Sequence, residues 1–173
     1  LLASGSADTH FTVLDTGTDA EVMTSIPGSY AANGPSSQWI WQNSNGTPTN
    51  VIRTFRTTFD LTGLDHTSAV INGLWGIDNE GLDILINGIS TGNQLLGVVV
   101  GNFSSLHAFT ITSGFQTGLN TLDFKVSDSG VISGFRAELS GVADRISPVP
   151  EPSIILLLGS GLVLLGFARR RAT

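Results

Sequence analysis

The sequence predicts an all-β protein: an antiparallel jelly-roll β-sandwich, followed by an extended tether and one C-terminal transmembrane helix. Three observations carry this. Charged residues make up only 13% of the 173, while glycine contributes 21, a balance that favours strands and turns over helices. Short apolar runs alternate with Gly, Asn, Asp, Ser and Thr clusters at spacings near ten residues, the rhythm of sandwiches and barrels. No segment before residue 153 keeps a helical period.

The strands follow in chain order. Residues 51–61 place Val51, Phe55, Phe59 and Leu61 on one face, with Thr54, Arg56, Thr58 and Asp60 on the other, as a half-buried strand requires. Residues 69–77 bring Ile71, Trp75 and Ile77 inward. Leu82, Ile84 and Ile86 form the next stripe, ended by Asn87-Gly88, a strong two-residue hairpin signal. Further strands are expected at 95–101, 106–112, 119–127 and 131–141. Residues 29–50, rich in Gly, Pro, Asn and Ser, read as a long loop carrying Trp39 and Trp41. About eight strands result, in one domain spanning residues 8–146.

Composition narrows the function. Residues 1–149 hold five basic and thirteen acidic side chains, a formal charge of −8, which argues against nucleic acid and anionic membrane surfaces as partners. There is no cysteine, so neither disulfide nor thiolate chemistry is available. Leu1-Leu2-Ala3-Ser4-Gly5-Ser6-Ala7 reads as the remnant of a signal peptide and its small-residue cleavage region.

No catalytic pattern is visible. His10, His66 and His107 lie far apart without metal-ligand spacing, and no Gly-x-Ser-x-Gly elbow or phosphate loop occurs. Carboxylate pairs for glycoside hydrolysis meet only in space and leave no mark in sequence. Asp78, Asn79, Glu80 and Asp83 gather hard oxygen ligands suited to calcium, and Gly76 and Gly81 permit a tight turn. Plain turn chemistry explains the same residues, and the EF-hand spacing is absent. Trp75 is in phase with Ile71 and Ile77 and belongs to the core. Trp39 and Trp41 stay open between a sugar-stacking surface and a core role.

The C-terminal 27 residues are of another kind. Ser147 to Ser153 contains Pro148, Val149, Pro150, Glu151 and Pro152; the three prolines cannot enter a helix interior and each disfavours helix in the residue before it, so the segment reads as an extended tether. An uncharged run follows from 154 to 168, including Ile154, Leu158, Leu162, Leu165 and Phe167, before a basic stop at Arg169, Arg170 and Arg171. Such a run spans about 24 Å as a helix, somewhat short of a ~30 Å hydrocarbon core. The arginines snorkel and keep the end cytoplasmic, with the body outside. Val-Pro-Glu-Pro-Ser, the leucine run broken by Gly-Ser-Gly, and Gly-Phe-Ala-Arg-Arg-Arg together resemble the PEP-CTERM sorting domain of bacterial exported proteins. That resemblance implies recognition by the membrane protease-transpeptidase exosortase, cleavage near Pro150-Glu151-Pro152, and release from the inner membrane to the cell surface or matrix. Residues 147–173 form this signal.

The body carries a second resemblance. Thr57-Thr58-Phe59-Asp60-Leu61, the turn Asp78-Asn79-Glu80-Gly81, and Asp83-Ile84-Leu85-Ile86-Asn87-Gly88 are similar to the galactose-binding-like jelly roll. Shared fold alone does not transfer a binding site. The expectation is a noncatalytic exported surface or matrix protein, sorted by exosortase, associated with exopolysaccharide in a biofilm and needing no cofactor. The alternatives are a lectin-like carbohydrate-binding module and, third, a glycoside hydrolase.

Overall fold

Alternating apolar side chains produce strands here because each strand can bury one face. The computed structural model describes residues 1–146, and ten strands of that stretch join in one antiparallel sheet. They are β1 (Ala7–Val13), β2 (Thr18–Val22), β3 (Ile40–Trp41), β4 (Ile52–Asp60), β5 (Val70–Asp78), β6 (Glu80–Ile86), β7 (Ile89–Ser90), β8 (His107–Ile111), β9 (Leu119–Ser127) and β10 (Gly134–Val142), with a single-turn helix α1 at Gly101–Ser104. The spatial order is β7-β6-β9-β4-β1-β2-β3-β10-β5-β8.

This sheet folds back on itself through β2 and β3, so that its two halves face each other. Phe55 on β4 stacks on Phe135 of β10 at 4.7 Å. Phe124 on β9 meets Phe135 at 5.0 Å, and Trp75 and Phe109 of β5 and β8 at 5.8 Å each. From β4 onward the long strands alternate between the two layers, which is the winding of a jelly roll. The main core is completed by Val13, Val22, Ile77, Ile84, Ile86, Leu122 and Val126. A smaller core of Met23, Tyr30 and Trp39 packs against Ile26, Phe103 and Ile132.

Strand direction defines two ends. Asp78 pairs with Gly134 and Val70 with Val142, so β5 and β10 begin and finish at opposite poles. One end gathers the Asp78–Glu80 turn, α1 and the 128–133 loop: the Ser129 amide donates to Asn79 Oδ1 at 2.7 Å, and Ala31 N donates to Phe103 O at 2.8 Å. The other end holds Leu64, bridged to Arg145, and leads to residue 147. Ala7 already opens β1, and the Gly5 amide donates to Val22 O at 3.0 Å. The expected tether and transmembrane helix lie outside the described residues.

Asn87 and Gly88 have φ of 51° and 79°, the paired positive values that a type I′ hairpin turn needs. One expected strand does not form. Residues 95–101 make a single bridge, Leu95 to Gly81, and then turn at Gly97, whose φ is 87°. Leu96 and Val98 to Val100 are 51–62% exposed, so no inward stripe exists to hold them in a sheet. The 29–50 loop is likewise interrupted by the short β3.

Candidate functional site

The two tryptophans open to a sugar-stacking role are both 0% exposed. Trp41 packs on Phe55 at 5.3 Å and donates its indole N–H to Pro48 O at 2.9 Å. Trp39 lies 4.6 Å from Tyr30 and donates to Ala31 O at 2.7 Å. Neither ring offers a face to a ligand, which corrects the recognition-surface alternative. Trp41 points into the main core, whereas Trp39 is covered by the 29–38 loop, which bonds its backbone and its indole through Asn33 and Ala31. Arg136, 3% exposed, holds that loop by donating to Ser37 Oγ at 2.6 Å, to Ala32 O, and to Glu138 Oε1 at 2.9 Å.

The residues named for calcium point in different directions. Asp78 Oδ2 accepts the Tyr30 hydroxyl at 2.6 Å and Oδ1 accepts the Asn79 amide. Asn79 Oδ1 serves the Ser129 amide, while Asn102 Nδ2 donates to Asn79 O at 2.7 Å. Glu80 Oε1 accepts the Gly97 amide at 2.7 Å. Asp83 is placed across the sheet from Lys125, on the outer face, with its buried Oδ1 unpartnered. The set therefore forms no coordination shell, because protein donors already occupy most of its oxygens. Among the described residues no group of three or more His, Asp or Glu gathers to hold a metal ion.

Sequence reasoning missed Tyr30 and Asp128, which belong with Asp78. Asp128 is buried, accepting from Asn50 N at 2.8 Å and Gly130 N at 3.1 Å. Burial raises the Asp78 carboxyl above the ordinary aspartate range; the Tyr30 bond works against this, and nearby Asp128 adds to it. Burial, and then the Asp78 bond, push the Tyr30 hydroxyl far above a free phenol, so it remains a donor at every ordinary pH. This cluster is a closed polar knot between four loops. Of this cluster the sequence showed the Asp78-Asn79 turn, and nothing in it linked that turn to Tyr30 or Asp128.

The histidines stay apart. His10 pairs with Asp8 at 2.6 Å on an exposed strand, and His107 Nε2 sits 2.9 Å from Gly101 O. Open concavities also occur among the described residues, and two of them lie along the long strands. An apolar cleft of ≈ 280 Å³ lies between the layers at the end nearer residue 146, lined by Phe59, Leu61, Phe115, Leu139 and Val142 among others. A broader trough of ≈ 540 Å³ crosses the outer face of β10, β5 and β8.

Residues 148–172 match the PEP-CTERM protein-sorting motif. No curated protein matches the chain. Among solved structures it is similar to a family 35 carbohydrate-binding module from an environmental isolate, with 7% identity over 82% of this chain and 97% of that one, at a TM-score of 0.45. It is also similar to CBM35 from Paenibacillus barcinonensis, with 20% identity over 78% and 94% of the chains, at a TM-score of 0.41.

Proposed function

We propose, from the sorting motif at residues 148–172, that this chain is a noncatalytic exported protein that exosortase processes at the inner membrane and passes to the cell surface or matrix. There its sandwich associates with extracellular polysaccharide by binding sugar. The motif is the observation that carries the reading, since its Pro-Glu-Pro tether, apolar run and arginine stop supply a cleavable peptide, a membrane dwell and an orientation in that order. The acidic body, −8 over residues 1–149, supports a partner other than nucleic acid or an anionic membrane.

The test is the intact mass of the protein recovered from cells with and without exosortase. Loss of the segment beyond Pro150-Glu151-Pro152 only when the enzyme is present is the expected result. An unprocessed chain held in the membrane fraction of both strains would make 154–168 a plain anchor and remove the reading. Association with polysaccharide is checked separately, by whether the released body co-fractionates with matrix glycan.

A further inference from the structure

We propose that the trough on the outer face of β10, β5 and β8 is a glycan-binding site for a neutral, hydroxyl-rich sugar chain, an inference that rests on the carbohydrate-binding reading above. Strand alternation places its side chains. Asn72 and Leu74 point outward from β5, Ala108 and Thr110 from β8, and Glu138 and Ser140 from β10. Register makes two rows of them: Thr110, Asn72 and Ser140 stand abreast, and Ala108, Leu74 and Glu138 form the next row. Ser36 of the covering loop also lines the trough.

The chemistry across these rows is mixed in the way a sugar requires. Leu74, 37% exposed, and Ala108 give a small apolar floor for the C–H face of a ring. Thr110 Oγ1 donates to Asn72 Oδ1 at 2.8 Å, which fixes the amide and leaves Asn72 Nδ2 as a donor without a partner among the described residues. Glu138 Oε1 accepts from both Ser37 and Arg136, each at 2.9 Å, so Oε2 is left as an acceptor on a carboxylate already held in place. Asn72 and Glu138 are diagonal neighbours across the β5–β10 pair, a relation of about 7–8 Å, on the scale of one sugar unit.

Charge selects the class. The sole acid lining the trough, Glu138, is neutralised by Arg136, and no lining residue is basic. An anionic glycan finds no cation there, and the aromatic residue of the lining, Phe109, is 4% exposed and offers no stacking platform, so recognition falls to hydrogen bonds with hydroxyls. Fixed donors and acceptors of this kind lose little entropy on binding.

The test is affinity gel electrophoresis of the purified full chain in non-ionic detergent, through gels containing galactomannan, xyloglucan, dextran or polygalacturonate. Retardation by at least one neutral polymer and none by polygalacturonate is expected. Asn72→Ala and Ala108→Arg, both outward and outside the core, should each weaken that retardation about tenfold, the effect of one lost good contact, with unchanged melting temperature. Undiminished retardation in both variants would overturn the trough while leaving carbohydrate binding in place. Retardation by polygalacturonate alone would overturn the neutral class. No retardation in any gel would remove both the trough and the reading beneath it.

Discussion

Tyr30 and Asp78, 48 residues apart in sequence, share a 2.6 Å hydrogen bond inside the smaller core. The tyrosine ring rests between Trp39 at 4.6 Å and Phe103 at 5.1 Å, so the bond joins the 27–34 loop to the end of β5. Asp78 needs the donor because burial has removed its water.

Tyr30→Phe keeps the ring and deletes the donor. It should destabilise the fold by about 1–3 kcal/mol, the cost of an orphaned buried acceptor. It should also raise the Asp78 carboxyl further, because the Tyr30 bond is the influence that lowers it. Urea midpoints at acid and neutral pH measure both effects, and a larger loss at neutral pH is the signature.

Asp78 makes stability depend on pH in a defined direction. Its folded carboxyl lies above the ordinary value, so the folded chain holds that proton more tightly than the unfolded one. The contribution is most favourable below the ordinary aspartate pKa of ~3.9 and declines as pH rises through the raised value. Asp60 and Asp65 run the other way, since bonds from Thr62 and Thr67 hold them low; their contribution is present above ~3.9 and fades as pH falls below it. Asp78→Asn should abolish the declining limb alone. A wild-type-minus-variant difference that stays flat from acid to neutral pH would contradict this.

Trp39→Ala and Trp41→Ala should each cost about 3–5 kcal/mol, as large aromatic truncations in a packed core do. Thermal melting is the readout. Loss of sugar binding with unchanged melting would put the rings on the surface, against their full burial.

Arg56 and Asp123 form a two-pronged pair, both bonds 2.7 Å, with the arginine side chain 35% exposed and the aspartate 7%. Arg56→Met should destabilise by about 1–3 kcal/mol, mostly from stranding the buried carboxylate, a figure already discounted for solvent at the arginine. Adding Asp123→Leu should restore much of the loss. A double variant no better than the single would show that the pair was not the source.

The inner faces were readable because a period of two leaves a linear trace. Phe55, the Ile71, Trp75 and Ile77 stripe, the Ile84 and Ile86 stripe, and Leu122, Phe124 and Val126 are all buried as their spacing implies. The sorting motif is linear too, and residues 148–172 carry it whole. What was not readable depends on contacts between distant segments. Leu95 to Val100 has the composition of a strand, yet Asn102 Nδ2 reaches Leu95 O, Gly97 O and Asn79 O and draws the segment into a turn. The burial of Trp39 depends on the loop that Arg136 holds from about a hundred residues away, and that of Trp41 on Phe55 across the core. The trough was invisible for the same reason, since register between β5, β8 and β10 alone brings Thr110, Asn72 and Ser140 abreast.

The opposed poles of β5 and β10 separate two jobs in space. The nine residues of β10 set the loop-bearing pole about 30 Å from the pole that leads to the sorting motif. Exposed positions of the far loops, such as Val98 to Val100 and Val131, can change without altering the strand end from which the chain runs on toward residues 148–172. Surface chemistry at one end of the sandwich is thereby separated from the segment that carries the sorting motif.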